Sequence, residues 1–215
     1  MEPLSKPNDS LLLSYLELRT SIGVIGILLP FVVAIGKILL ESPGILSSIS
    51  TYYYTIMGDV FVGSLCATGV FLWSYRGYAR IDSVAGNLAA LSAIGLAFFP
   101  TAPMSPTPTQ ALISHIHLVF AAGFFLTLAF FALFLFRKTK PGVSPTRMKK
   151  VRNFVYAVCG TVILASIFLI ALISIVTQDG EEFLNYAPVF WLESLATVAF
   201  GISWFVKGEA ILKDD

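Results

Sequence analysis

The chain has 215 residues, of which 56% are hydrophobic and only 13% charged, and its mean hydropathy is +0.82. Soluble domains carry about 25% charged residues, so the composition excludes a soluble enzyme or binding domain and points to an integral membrane protein. A net charge of +1 makes no case for nucleic acid as a partner, because the charges are separated along the chain rather than pooled.

The first ten residues, MEPLSKPNDS, include one lysine, two acids and two prolines, and no small-residue cleavage site ends the apolar run that follows. The first helix is therefore expected to act as its own uncleaved insertion signal. A hydrocarbon core about 30 Å thick takes roughly 20 apolar residues per helix. Stretches of that kind fall at about 21–40 (extendable back to Leu11), 55–75, 84–99, 111–136, 154–176 and 187–206. Apolar runs of this length do not fit the short alternating strands of an outer-membrane barrel.

Pro30 lies inside the first run and is expected to kink it, since it lacks an N–H and crowds the preceding turn. Glu41-Ser-Pro-Gly44 ends that helix. A hydroxyl-rich stretch, Ser47-Ser-Ile-Ser-Thr-Tyr52-Tyr53-Tyr54-Thr55, leads into the second. The three tyrosines fan out by about 100° per residue, so one faces inward and the others join the interfacial aromatic belt. In the second helix, Gly63 and Ala67, with Gly69 two residues on, form a small-residue stripe that permits close helix approach. Asp82 beside Arg80 reads as a helix cap or local ion pair, and Glu17 with Arg19 as an interfacial pair. Pro100-Thr-Ala-Pro103 closes the third helix, and Pro106-Thr-Pro108 opens the fourth, where proline gives up no hydrogen bond it would have made. Cys66 and Cys159 sit in apolar runs as small packing residues.

Of the fourteen Lys and Arg residues, all but Lys37 fall on one side of this pattern. Lys6 and Arg19 precede the first helix, Arg76 and Arg80 follow the second, and Lys207 and Lys213 follow the sixth. Arg137, Lys138, Lys140, Arg147, Lys149, Lys150 and Arg152 lie between the fourth and fifth. The positive-inside rule assigns that side to the cytoplasm. The expected fold is an all-α polytopic transmembrane bundle of six helices, one domain over residues 1–215, with both termini cytoplasmic. Its expected location is the bacterial cytoplasmic (inner) membrane. The segment from Arg137 to Arg152 is expected to rest on anionic inner-leaflet lipid.

The other side keeps polar groups that cost about 2.5–3.5 kcal/mol each if charged in the bilayer core. Asp59 sits near the outer end of the second helix, Glu193 about two turns into the sixth, and His115 and His117 near the start of the fourth. By subtraction, an acid ionised and paired there has only Lys37 or a histidine as partner. Asp179, Glu181 and Glu182 read as solvated loop acids near Asn185, and Trp73 and Trp191 as interfacial anchors. The candidate ligand-binding set is Lys37, Tyr53 (or its neighbours Tyr52 and Tyr54), Asp59, His115, His117 and Glu193, forming a polar pocket in the outer half for a lipid head group or small polar ligand.

Several chemistries remain open for this set. Asp59 or Glu193 as base beside His115 or His117 suits acid–base attack on a lipid head group. No cofactor is required, but the two imidazoles with Asp59 and Glu193 also make a divalent-metal donor set. Residues two apart on a helix diverge by about 200°, so His-x-His serves one ion only where the backbone is irregular. Proton or ion conduction lacks titratable residues in the inner halves of the helices. A non-catalytic scaffold and an oligomeric assembly stay open.

Short segments in order, Pro43 to Ser50, Gly58-Asp-Val-Phe-Val-Gly63, Phe98-Phe-Pro-Thr101, His115 or His117, and Phe190-Trp-Leu-Glu193, resemble the Frag/DRAM/Sfk-type six-helix membrane proteins and their bacterial relatives of unknown function. The eukaryotic members are associated with lipid remodelling, GPI-anchor maturation and lipid-linked trafficking. The resemblance implies a lipid-related role and supplies no catalytic residue.

Overall fold

A computed structural model describes residues 8–77, 79–103, 105–139, 142, 144–176 and 185–212. Six helices follow in order: α1 Asn8–Leu40, α2 Gly58–Ser74, α3 Arg80–Phe98, α4 Pro108–Phe130, α5 Arg147–Val176 and α6 Pro188–Lys207. A 3-10 helix, Ser50–Tyr54, precedes α2, and a π-helical turn, Phe131–Leu135, prolongs α4. No strand occurs among the described residues. Five helices are long and apolar enough to cross a membrane. The exception is α2, whose 17 residues rise about 25 Å. Lys6, Lys140, Lys213, Asp179, Glu181 and Glu182 lie outside the described residues.

Helix starts follow the local chemistry. Thr107 and Gln110 form a reciprocal cap, the Gln110 amide donating to Thr107 Oγ1 at 3.3 Å and the Thr107 amide to Gln110 Oε1 at 2.8 Å, with Pro108 at the first turn. Thr146 Oγ1 accepts the Lys149 amide at 3.0 Å. That cap starts α5 at Arg147, earlier than the apolar pattern suggests, because Arg, Met and Lys are good helix formers. The cations from Arg147 to Arg152 therefore stand on a helix rather than in a loop. The Ala79 amide donates to Asp82 Oδ2 at 2.8 Å and caps α3, and the partner of Asp82 is Lys138 at 2.8 Å, not its neighbour Arg80.

The chain reverses at each connection. Starts of α2, α4 and α6 meet the ends of α1 and α3 at one end of the bundle, through Ser50, His117, Phe99 and Glu193. At the other end, here called the basic end, Arg19 approaches Lys207, and Lys149 reaches Phe136. Glu17 is exposed and makes no pair with Arg19, which is buried instead against Tyr15.

Helices α1 and α6 make the closest crossing. A Cβ built at Gly201 would stand 2.5 Å from the Ile27 amide nitrogen and 2.7 Å from the Gly23 carbonyl oxygen. At Gly23 it would meet the Phe205 amide at 2.6 Å. In a bundle without a hydrophobic drive between helices, such backbone contact supplies van der Waals attraction. The α2 stripe works differently from its sequence reading. Gly63 faces open space, while Gly69 meets Ile94 of α3. Gly201→Ala forces backbone against backbone, and overpacking of that kind costs about 1–3 kcal/mol. Thermal unfolding in detergent is expected to show this loss, and to leave Gly63→Ala within about 0.5 kcal/mol of wild type.

Candidate functional site

The segment between α1 and α2 is mostly non-helical and folds against the bundle end. Its backbone polar groups need partners wherever water is excluded. Lys37 is buried in the last turn of α1 and donates to the carbonyls of Pro43 (3.2 Å) and Gly44 (3.3 Å). Glu41 Oε2 accepts the Ile56 amide at 2.9 Å. Tyr52 is the tyrosine that turns inward; it is fully buried, and its Oη accepts the Leu46 amide at 3.2 Å. Burial pushes its phenol above the usual tyrosine range, so it remains neutral. Tyr53 is half-buried, while Tyr54 is exposed and donates to the Thr101 carbonyl at 2.7 Å.

Helix α6 holds the same segment by two reciprocal bonds. Its Phe190 amide, one of the first-turn donors without a helical partner, donates to the Ser47 carbonyl at 2.8 Å. In return, Glu193 Oε2 accepts the Ile49 amide at 2.6 Å, with the Ser50 amide also directed at its carboxylate. An N–H···O bond this short lies at the strong end of the range.

His117 anchors the segment from the other side. It is buried on α4, its Nδ1 lies 2.6 Å from the Phe99 carbonyl and its Nε2 lies 3.0 Å from Ser50 Oγ. A carbonyl only accepts, so Nδ1 carries the proton and Nε2 of the neutral ring accepts the Ser50 hydroxyl. Glu193 and His117 thus converge on adjacent residues, Ile49 and Ser50.

The remaining sequence candidates do not join them. His115 is exposed, and its Nδ1 turns back to the Ala111 carbonyl of its own helix at 2.7 Å. Asp59 is exposed in the first turn of α2, where a carboxylate favours the helix dipole. Lys37 is spent on carbonyls and pairs with no acid among the described residues. Among those residues, no group of three or more His, Cys, Asp or Glu side chains gathers as a metal site.

Beneath the segment lies a cavity of about 50 Å³. Its walls come from α1, α2, α3, α4 and α6, and most are apolar: Ile25, Leu29, Phe61, Leu65, Phe124 and Phe200 among them. Glu193, Ser50, Thr68 and Thr197 supply its polar side chains. Gly26 also stands on the wall. Its carbonyl would pair with the amide four residues on, but that residue is Pro30, which has none. Sequence reading singled out Pro30 only as a kink and missed Ser50 as a wall residue, although both stood in segments it had marked.

Glu193→Ala unpairs the Ile49 amide, and leaving a buried donor unsatisfied costs about 1–3 kcal/mol. Hydrogen exchange over residues 45–54 is expected to accelerate by about ten- to a hundredfold. His117→Ala is expected to destabilise by about 1–3 kcal/mol, against less than about 0.5 kcal/mol for His115→Ala, as read by thermal unfolding. Comparison of the chain with protein-family models, with curated proteins and with solved structures finds no match.

Proposed function

We propose that the chain is a six-span protein of a bacterial cytoplasmic membrane, with both termini cytoplasmic, whose outer cavity binds the ammonium of a lipid head group or of a small polar amine. The charge asymmetry supports the orientation, since the basic end carries Arg19, Arg76, Arg80, Arg137, Lys138, Arg147, Lys149, Lys150, Arg152 and Lys207. The helix α2, short for a span, lies within the lower end of the range that crosses a bilayer.

One observation carries the ligand class: the cavity wall offers acceptors and no cation. Glu193 has about four lone-pair sites, and the loop amides occupy two. The Gly26 carbonyl lacks its helical donor. No Lys or Arg lines the wall among the described residues. Acceptors in an apolar cavity are costly unless a donor arrives, and a cationic donor satisfies both. A space of about 50 Å³ suits a head-group amine and a few waters, not an acyl chain. The family resemblance through Pro43 to Ser50 and Phe190 to Glu193 agrees with a lipid-related role.

Native mass spectrometry of the purified chain tests this. Phosphatidylethanolamine is expected to stay bound in preference to phosphatidylglycerol, and Glu193→Gln to weaken its retention at least about tenfold. Equal retention by the variant sinks the reading. Thr197→Val, which keeps the carboxylate and the loop clasp, is expected to weaken retention without lowering the melting temperature.

The Ser50–His117 hydrogen bond favours a second reading, acyl transfer. Nucleophile and base are within reach at 3.0 Å, the base is oriented by the Phe99 carbonyl, and Ser50 lines the cavity. Against it, Glu193 occupies the Ile49 and Ser50 amides that would otherwise stabilise an oxyanion. Covalent labelling of Ser50 by a fluorophosphonate, lost in His117→Ala, is the outcome that would raise this reading above the first.

A further inference from the structure

The cavity under the segment between α1 and α2 is elongated along the helices. On α6 its wall runs from Glu193 to Phe200, about 10 Å along the axis. On α2 it runs about as far, from Phe61 through Leu65 to Thr68, along one face of the helix. Met57 packs on Gly36, and from that contact Thr68 and Gly26 both lie about 15 Å inward along antiparallel helices. Gly26 also meets the Phe200 ring. Thr68, Gly26 and Phe200 therefore share the floor of the cavity, while Glu193 and Ser50 stand at its roof.

Thr68 is unlike the other helical threonines shielded from solvent. Thr20, Thr127 and Thr197 return their hydroxyls to the carbonyl four residues back, at 3.0, 2.7 and 2.7 Å. Thr68 is 3% exposed, yet its hydroxyl makes no hydrogen bond among the described residues. A buried hydroxyl left without a partner is costly. At the same depth stands the Gly26 carbonyl, whose helical partner would be the amide that Pro30 lacks. Between floor and roof the wall is apolar at Leu29, Leu65 and Phe124. The cavity thus has a carboxylate at one end, a hydroxyl and a carbonyl at the other, and hydrocarbon between.

We propose that it takes a short amino alcohol, whose ammonium meets Glu193 and whose free hydroxyl accepts from Thr68 and donates to the Gly26 carbonyl. The proposal rests on the amine reading of Glu193 and adds the floor contact to it. A hydroxyl brings one proton and two lone pairs, which is what a carbonyl and a threonine together ask for. A second ammonium at the floor would find no carboxylate on the wall there, and an unpaired buried charge is expensive. An esterified head-group oxygen has no proton for the carbonyl, and its phosphate would meet no Lys or Arg on the wall among the described residues. Of the two sources of an ammonium, the floor therefore favours the free amine. A cavity of about 50 Å³ limits the carbons between the two polar ends to a few.

Calorimetric titration of the detergent-purified full chain with ethanolamine is expected to saturate. Two analogues are expected to bind at least about tenfold more weakly: n-propylamine, with a methyl in place of the hydroxyl, and 2-methoxyethylamine, whose oxygen has no proton. Thr68→Val keeps the shape of the side chain; it is expected to reduce ethanolamine to the level of n-propylamine and to leave n-propylamine unchanged. Thr68→Ser, which restores the hydroxyl, is expected to keep the preference. Equal midpoints for ethanolamine and n-propylamine in the wild type, or a preference that survives Thr68→Val, overturns the floor contact while the amine reading stands. A 2-methoxyethylamine midpoint equal to that of ethanolamine overturns the free hydroxyl and returns the ligand to an esterified head group. Binding of none of the three amines overturns the amine reading and the floor contact together.

Discussion

The contact on which one whole end of the bundle depends is the Glu193 carboxylate receiving the Ile49 amide at 2.6 Å. Segment 41–57 reverses the chain with only a short 3-10 helix of its own, so the amides of Leu46, Ile49 and Ile56 and the carbonyls of Pro43, Gly44 and Ser47 take their partners from side chains or from α6. Backbone groups in that state are tolerated at a membrane boundary only when protein satisfies them. Glu193 does so at the middle of the segment, where neither Lys37 nor Glu41, on its flank, can reach. Phe190 answers from the same helix turn by donating to Ser47. The first turn of α6 thus trades its own unsatisfied donor for an unsatisfied donor of the segment, and both ends of the exchange are fixed by one helix.

That exchange explains why polar side chains at this end need not be catalytic. Lys37, Glu41, Tyr52 and His117 each bond a carbonyl, amide or hydroxyl of the reversing segment or of the neighbouring turn. Glu193 differs because it does this while standing on a cavity wall. A carboxylate has more acceptor sites than two amides use. Structural clasp and ligand acceptor are therefore compatible roles for one side chain, and only substitutions that spare the clasp, such as those at Thr197, separate them.

The six helices were legible because apolar length and turn chemistry are local properties. Pro108 after Thr107, and Gly44 after Pro43, mark ends that the structure places within a few residues. Charge partition was legible for the same reason. What the sequence hid was pairing. Asp59 and Glu193 look alike as isolated acids in apolar runs, yet one faces outward at a helix start and the other clasps a segment 144 positions away. Lys37 stood with the histidines as a partner open to any ionised acid there, and it bonds instead to carbonyls six and seven residues on. Helix packing was hidden as well. The stripe at Gly63 and Gly201 alone on α6 are equally plausible contacts on paper, and only the crossing of α1 over α6 selects the second.

The two ends also differ in what they lack. Near Glu193 the cavity wall carries a carboxylate and, among the described residues, no Lys or Arg; at the basic end Arg19 Nε and Trp204 Nε1 are buried donors with no acceptor among the described residues. Between them runs a column of rings. Phe124, on the cavity wall, packs on Phe200 at 5.9 Å, and Phe200 on Trp204 at 6.3 Å. Phe200 and Trp204 are 2% and 0% exposed. A conducting path would have to pass water or protons through that column, where close-packed rings leave neither space nor titratable groups. The packed rings thus separate the carboxylate at one end from the buried donors at the other.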